Sequence, residues 1–132
     1  MKIVYIAHPI SGDIEGNLAK IRKIVREINM TMPDVVPLVP YYADIVSMDD
    51  NIPEERERGI KNDTAVLKSG IIMELWLFGD KISKGMQAEI VIAEKEGIPV
   101  YAQSERTKKF YADMVMDTEN LRVDDFYKRL KR

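Results

Sequence analysis

The sequence contains no cysteine. That excludes a disulfide framework, a thiol nucleophile and a thiolate-ligated metal site. There is one histidine, His8, and a single imidazole builds neither a metal centre nor a catalytic triad unaided. No stretch approaches the roughly 18 apolar residues of a membrane-spanning helix. The apolar opening from Met1 to Ala7 is too brief for the core of a secretory signal. Internal repeats and low-complexity tracts are missing too. So is any excess of charge: 20 Lys and Arg face 22 Asp and Glu, for a net charge of −2. The basic residues are interleaved with acids, and the run from Lys128 to Arg132 reads as a solvated helix end. A nucleic-acid polymer is therefore not expected as a partner, and neither is a membrane. With no cysteine and no leader, the expected compartment is the cytoplasm.

What is present is globular. Hydrophobic residues make up 45% and charged residues 32% of 132 residues. That length suits one domain over 1–132, burying roughly two-thirds of the unfolded surface. Residues 2–7 are β-branched and aromatic and read as a buried strand ending at His8 and Pro9. Leu18, Ile21, Ile24, Val25 and Ile28 recur at helical spacing and predict an amphipathic helix over about 15–30. Val35 to Pro40 reads as a short strand, and Pro37 and Pro40 make it an edge strand or an early ending. Residues 41–53 read as a loop with at most one helical turn. A helix follows from Glu54 to about Ser69, either unbroken or restarted at Asn62 as a cap. The run 71–78 is the most apolar and predicts a central strand. Residues 84–96 form a helix stopped by Gly97, and 98–102 a further strand. Two helices are expected in 104–132, one carrying Phe110, Tyr111, Met114 and Val115, the other Leu121, Phe126 and Leu130. Strands alternating with helices predict a three-layer α/β fold, Rossmann- or flavodoxin-like. It has a mostly parallel sheet of four to five strands flanked by helices. In such sheets ligands bind beyond the carboxyl ends of the strands.

Three constellations fall at that edge. In Ser83-Lys84-Gly85-Met86-Gln87-Ala88-Glu89, Ser83 stands where a helix begins and its free N–H groups favour an anion. Gly85 admits a close approach to the backbone, and Gly85 and Glu89 share one helix face. The structural alternative makes Ser83 a cap and Glu89 a solvated helix residue. In Tyr5-Ile6-Ala7-His8-Pro9-Ile10-Ser11-Gly12-Asp13, a strand ends in a turn that leads to a helix. It has the layout of a phosphate-cradling loop but neither the dinucleotide glycine pattern nor the Walker lysine. Here Tyr5 is by default a core residue and His8 structural. The third is Asp63, near the ligand edge if a helix restarts at Asn62 and further away if the helix is continuous. The acidic and basic run Glu54 to Arg58 reads as a self-paired, solvated helix face, and Trp76 as core.

Together, and in this order, the three constellations resemble the nucleoside 2-deoxyribosyltransferase-like superfamily. It includes deoxyribosyltransferases, nucleoside 5′-monophosphate N-glycosidases and small phage and bacterial relatives of uncharacterised function. The resemblance covers about residues 2–102, with Phe78 to Glu89 matching a Phe-Gly-Asp-x-x-Ser-x-Gly-Met-x-x-Glu segment. It implies that Glu89 is a nucleophile attacking C1′ of the sugar, Asp63 an acid that protonates the departing base, and Tyr5 a residue that positions the nucleophile. An ordinary glutamate is ionised at neutral pH and needs no separate base. The resemblance further implies substrate contacts from His8, Pro9, Ser11 and Gly12 in the first loop and from Ser83, Gly85 and Met86 at the later helix start. No metal and no organic cofactor are implied. The partners implied are a nucleotide or nucleoside substrate and further copies of the chain, as a homodimer or larger homo-oligomer; Phe110 to Met116 could supply the contact.

Deoxyribosyltransferases tend to carry an aspartate at the Ser83 position, and the serine here resembles the monophosphate hydrolases instead. Those hydrolases carry an arginine near the position of Ser11. They also borrow a serine from a neighbouring subunit, roughly where Ala112 and Asp113 fall. Lys81 or Lys84 is the alternative source of a cation. Three functions follow as expectations: N-glycosidase action on a nucleoside 5′-monophosphate, base exchange between nucleosides, and a catalytically silent nucleotide-binding module.

Overall fold

The structure, a computed structural model, describes residues 1–115. The expected helix around Leu121, Phe126 and Leu130, the basic run Lys128 to Arg132, and Met116 lie outside the described residues. Four strands form one parallel sheet in the order β2-β1-β3-β4. They are β1 (Lys2–Ala7), β2 (Val35–Leu38), β3 (Glu74–Leu77) and β4 (Val100–Ala102). The helices are α1 (Ile14–Thr31), α2 (Pro40–Ser47), α3 (Pro53–Lys68) and α4 (Lys84–Lys95), and α5 over 105–115. No helix of the described residues is long and apolar enough to cross a membrane.

Both faces of the sheet are covered, which is why the strands read as near-continuous apolar runs rather than alternating ones. On one face Tyr5, Ala7, Leu75 and Leu77 pack with Tyr41, Leu67, Met86 and Ile90 from α2, α3 and α4. On the other, Val4, Ile6 and Trp76 pack against Ile28 of α1. Trp76 is core, and its indole Nε1 donates to Glu74 at 2.9 Å. The edge position of β2 agrees with its internal Pro37, which offers no N–H to a further strand.

Two expectations need correction, and one alternative left open is decided. Residues 40–47 form a helix, not a loop, because Pro40 occupies its first turn, where a proline's fixed φ and missing N–H cost nothing. The apolar run 71–78 contributes only Glu74–Leu77 as strand; Ile71 and Met73 are about half exposed. The helix over 53–68 is unbroken, so Asn62 does not cap a second helix and Asp63 lies within α3.

The strand order determines where a ligand would sit. The chain leaves β1 toward β2 on one side, and β3 leads to β4 on the other. The connections therefore diverge between β1 and β3, and their carboxyl ends frame the crevice characteristic of such sheets. The loop after β1, 8–13, belongs to the second constellation, and the loop after β3, 78–83, leads into the first.

Candidate functional site

Tyr5 is fully buried in β1. Its hydroxyl faces the Glu89 carboxyl without closing a hydrogen bond of good geometry to any described group. An unsatisfied buried hydroxyl costs about 1–3 kcal/mol, so its placement asks for an explanation beyond packing. The Tyr41 ring lies 6.0 Å from that of Tyr5, tilted by 39°, and the Tyr41 hydroxyl donates to the Ile6 carbonyl at 2.6 Å. Asp63 of α3 and Glu89 of α4, each half-buried, act electrostatically on both tyrosines. Four elements, β1, α2, α3 and α4, thus deliver Tyr5, Tyr41, Asp63 and Glu89 to one place. An unbroken α3 does not carry Asp63 away from the site.

The electrostatics of this cluster depart from the ordinary-glutamate expectation. Burial raises Glu89 from 4.5 to about 8; Tyr5 works against that rise and Asp63 adds to it. Burial likewise raises Asp63 from 3.8 to about 7, with Asp44 adding to it. Both tyrosines are pushed well above 10.0, first by burial and then by Glu89 and Asp63. Near neutral pH the empty site therefore retains protons on its carboxyls instead of presenting a fully ionised Glu89. Two neighbouring carboxyls that resist joint ionisation are an arrangement suited to acid and nucleophile roles.

The loops on either side are locked together. Gly79 has φ +103°, and a Cβ there would lie 2.6 Å from Pro9 Cδ. Only glycine permits both that backbone and that approach. His8 is buried, and its Nδ1 lies 2.7 Å from the Pro9 carbonyl. A carbonyl only accepts, so Nδ1 donates and Nε2 is left as the acceptor. Burial, with a smaller contribution from Lys20, holds His8 below its ordinary 6.5. Ser104 ties the same turn from the far side, donating to the Gly79 carbonyl at 2.8 Å.

Ser83 is the N-cap of α4, and its Oγ accepts from the Met86 N–H at 3.3 Å. Its O–H proton has no partner among the described residues, so it remains free to donate. Gly85 is exposed with no positive φ, and the nearest atom to a Cβ there is Ser83 Oγ at 3.9 Å. Nothing within the protein demands glycine at that position, although glycine weakens a helix. Met86 is 1% exposed and packs in the core. Its side chain does not line the site, and its N–H is already held by Ser83. Ser11 and Gly12 are exposed in the β1–α1 turn, and Lys81 and Lys84 are exposed beside the α4 start. Ala112 and Asp113 are exposed on α5.

Two residues of the cluster were not legible as such, Tyr41 and Asp44, both in the segment expected to be loop. Asp44 Oδ1 accepts from Asn62 Nδ2 at 3.1 Å, and its Oδ2 is buried without a partner, as is Asp63 Oδ1. The signal that could have found them is Pro40 as a helix start, which sets Tyr41 and Asp44 three residues apart on one face. Among the described residues no group of three or more His, Asp or Glu is arranged to hold a metal ion. Grooves of about 650 Å³ between α1 and β2 and about 500 Å³ along β4 and α5 lie away from these carboxyls.

Known proteins were compared with this geometry in hand. A 2-desoxiribosyltransferase from Leishmania mexicana has a similar fold, with a TM-score of 0.51 and 17% sequence identity. The similarity covers 77% of this chain and 63% of that one, so the match spans less than two-thirds of the neighbour's length. No curated protein matches by sequence. A family model matches residues 2–103, and the chain belongs to that family, described as a domain of unknown function (DUF7768).

Proposed function

We propose that the protein is an N-glycosidase that cleaves the bond between base and sugar in a nucleoside 5′-monophosphate. The observation that carries this reading is the meeting of Glu89, Asp63 and the unpartnered Tyr5 hydroxyl beside the β1–β3 crevice. In the reactive form Glu89 is ionised and Asp63 protonated. A Glu89 carboxylate oxygen bonds to C1′, the C1′–N bond breaks, and its electron pair goes to the base nitrogen. Asp63 supplies the proton, so the base leaves neutral. Water then attacks C1′, the Glu89 carboxylate departs, and the water's proton returns to Asp63. The products are free base and sugar phosphate, and both carboxyls regain their starting states. Tyr5 favours the ionised Glu89, because its hydroxyl stabilises the charge.

The phosphate is assigned to the start of α4. The unengaged Ser83 proton, the first-turn N–H groups and the open space at Gly85 suit it, and Lys81 and Lys84 supply positive charge nearby. A homo-oligomer is part of this reading; Tyr101 and Phe110, each more than two-fifths exposed, offer it apolar surface.

Base exchange is a second reading, supported by the fold likeness to a protein named as a 2-desoxiribosyltransferase. In it a second base, not water, intercepts the glycosyl-enzyme. The readings separate when the protein is incubated with nucleosides and their 5′-monophosphates, with and without free adenine or cytosine. Free base released without an acceptor supports hydrolysis. Products formed only with an acceptor mean exchange. If no glycosidic bond breaks while nucleotides raise the melting temperature, the protein is a silent binding module.

A further inference from the structure

The proposed chemistry needs the proton on Asp63 and the charge on Glu89, yet both carboxyls are half-buried and compete for it. The groups facing Asp63 are Asp44 and Tyr41 from α2, Tyr5 from β1 and Glu89 from α4. Asn62 and Arg58 are the polar neighbours on its own helix. Among the described residues neither Asp44 nor Asp63 is ion-paired with Lys or Arg. Arg58 Nε donates instead to Asn62 Oδ1 at 3.1 Å.

That bond orients the amide. A guanidinium has only donors, so Asn62 Oδ1 must face it and Nδ2 must face Asp44. Asp44 Oδ1, 3.1 Å from Nδ2, can then only accept. The amide therefore holds Asp44 through that oxygen, with Arg58 one residue behind it. α2 packs closely on α3 here: a Cβ at Gly59 would meet Asp44 Cβ at ordinary contact distance, 3.5 Å. The remaining oxygen, Asp44 Oδ2, and Asp63 Oδ1 are both buried and unpartnered. Two such atoms on packed helices, with no cation between them, disfavour a second negative charge.

We propose that Asp44 is a positioning residue, held by the Arg58–Asn62 relay, that opposes charge on Asp63 and so helps Asp63 keep a proton to give to the departing base. Asp44 opposes charge on Asp63, while Tyr5 supports charge on Glu89. The two act in the same direction on the pair. The role assigned to Asp44 in catalysis rests on the glycosidase reading; its effect on Asp63 does not.

The test is carboxyl carbon NMR of the full chain, following Asp63 between pH 4 and 9 in wild type, Asp44→Asn and Asn62→Ala. In Asp44→Asn the Asp63 titration is expected to move down by roughly one pH unit. Asn62→Ala keeps Asp44 but removes the amide that holds it. It is expected to move Asp63 in the same direction by less, and serves if Asp44→Asn fails to fold. If base release is found, kcat at neutral pH is expected to fall in Asp44→Asn, because less of the enzyme then holds a proton on Asp63. An Asp63 titration unchanged in both variants overturns the proposal, even if their stability falls. Base release absent from every substrate, with the Asp63 titration still moving, overturns the glycosidase reading alone.

Discussion

Replacing Glu89 by Gln gives a stability change whose sign depends on pH. Glu89 is held near 8 against an ordinary 4.5, chiefly by burial. At 1.36 kcal/mol per pH unit that difference corresponds to a ceiling of roughly 5 kcal/mol against the ionised side chain. The group keeps partial contact with solvent, and relaxation and water entry lower the figure to about 2 kcal/mol. Because the folded value is raised, Glu89's contribution is complete below about pH 4.5 and is lost as pH rises through 8. Gln is isosteric and never ionises. Glu89→Gln is therefore expected to be neutral or slightly destabilising at pH 5, and more stable than wild type by about 2 kcal/mol at pH 9. Urea denaturation at pH 5, 7 and 9 measures this directly, provided the slope with denaturant stays constant. A variant whose stability relative to wild type is the same at pH 5 and pH 9 refutes the reasoning, since Glu89 would then ionise without penalty.

Tyr5→Phe removes a buried hydroxyl that faces Glu89 without a hydrogen bond of good geometry. It is expected to leave stability unchanged or improve it by up to about 1 kcal/mol in denaturation, while lowering any base-release rate and raising the pH at which Glu89 titrates. Gly85→Ala meets no obstacle within the protein and is expected to stabilise the empty fold by about 0.4–1 kcal/mol, while nucleotide binding measured by calorimetry weakens. Gly79→Ala combines a positive φ with a clash against Pro9. A loss of more than about 2 kcal/mol in thermal or urea unfolding is expected.

The alternation of strand and helix was legible because each element here carries one dominant period. β1 is apolar throughout, α1 shows one apolar stripe, and Gly97 ends α4 where a C′ glycine should. The strand order was not legible, since parallel pairing is set by tertiary packing that local pattern does not encode. The segment 40–47 misled because Tyr41, Tyr42 and Asp44 suit loops as readily as helices. Its proline speaks for a helix only when counted as a first-turn residue. Gly59 and Asn62 looked like breaks in α3 because each disfavours a helix interior. The reason for Asn62 is tertiary, since it bonds to Asp44; Gly59 faces Asp44 at a distance a Cβ would tolerate, and nothing in the structure explains it. Ser83, Gly85 and Glu89 could be singled out from spacing alone. The raised titration of Glu89 could not, because it comes from burial in the folded chain and from the charge of Asp63, distant in sequence.

The central claim is that Glu89 bonds to the sugar. Peptide mass spectrometry on acid-quenched turnover mixtures with nucleoside 5′-monophosphates tests it most directly. The account predicts a sugar-phosphate adduct on Glu89 in wild type, and neither adduct nor released base in a folded Glu89→Ala variant. Base release by Glu89→Ala at the wild-type rate would contradict it.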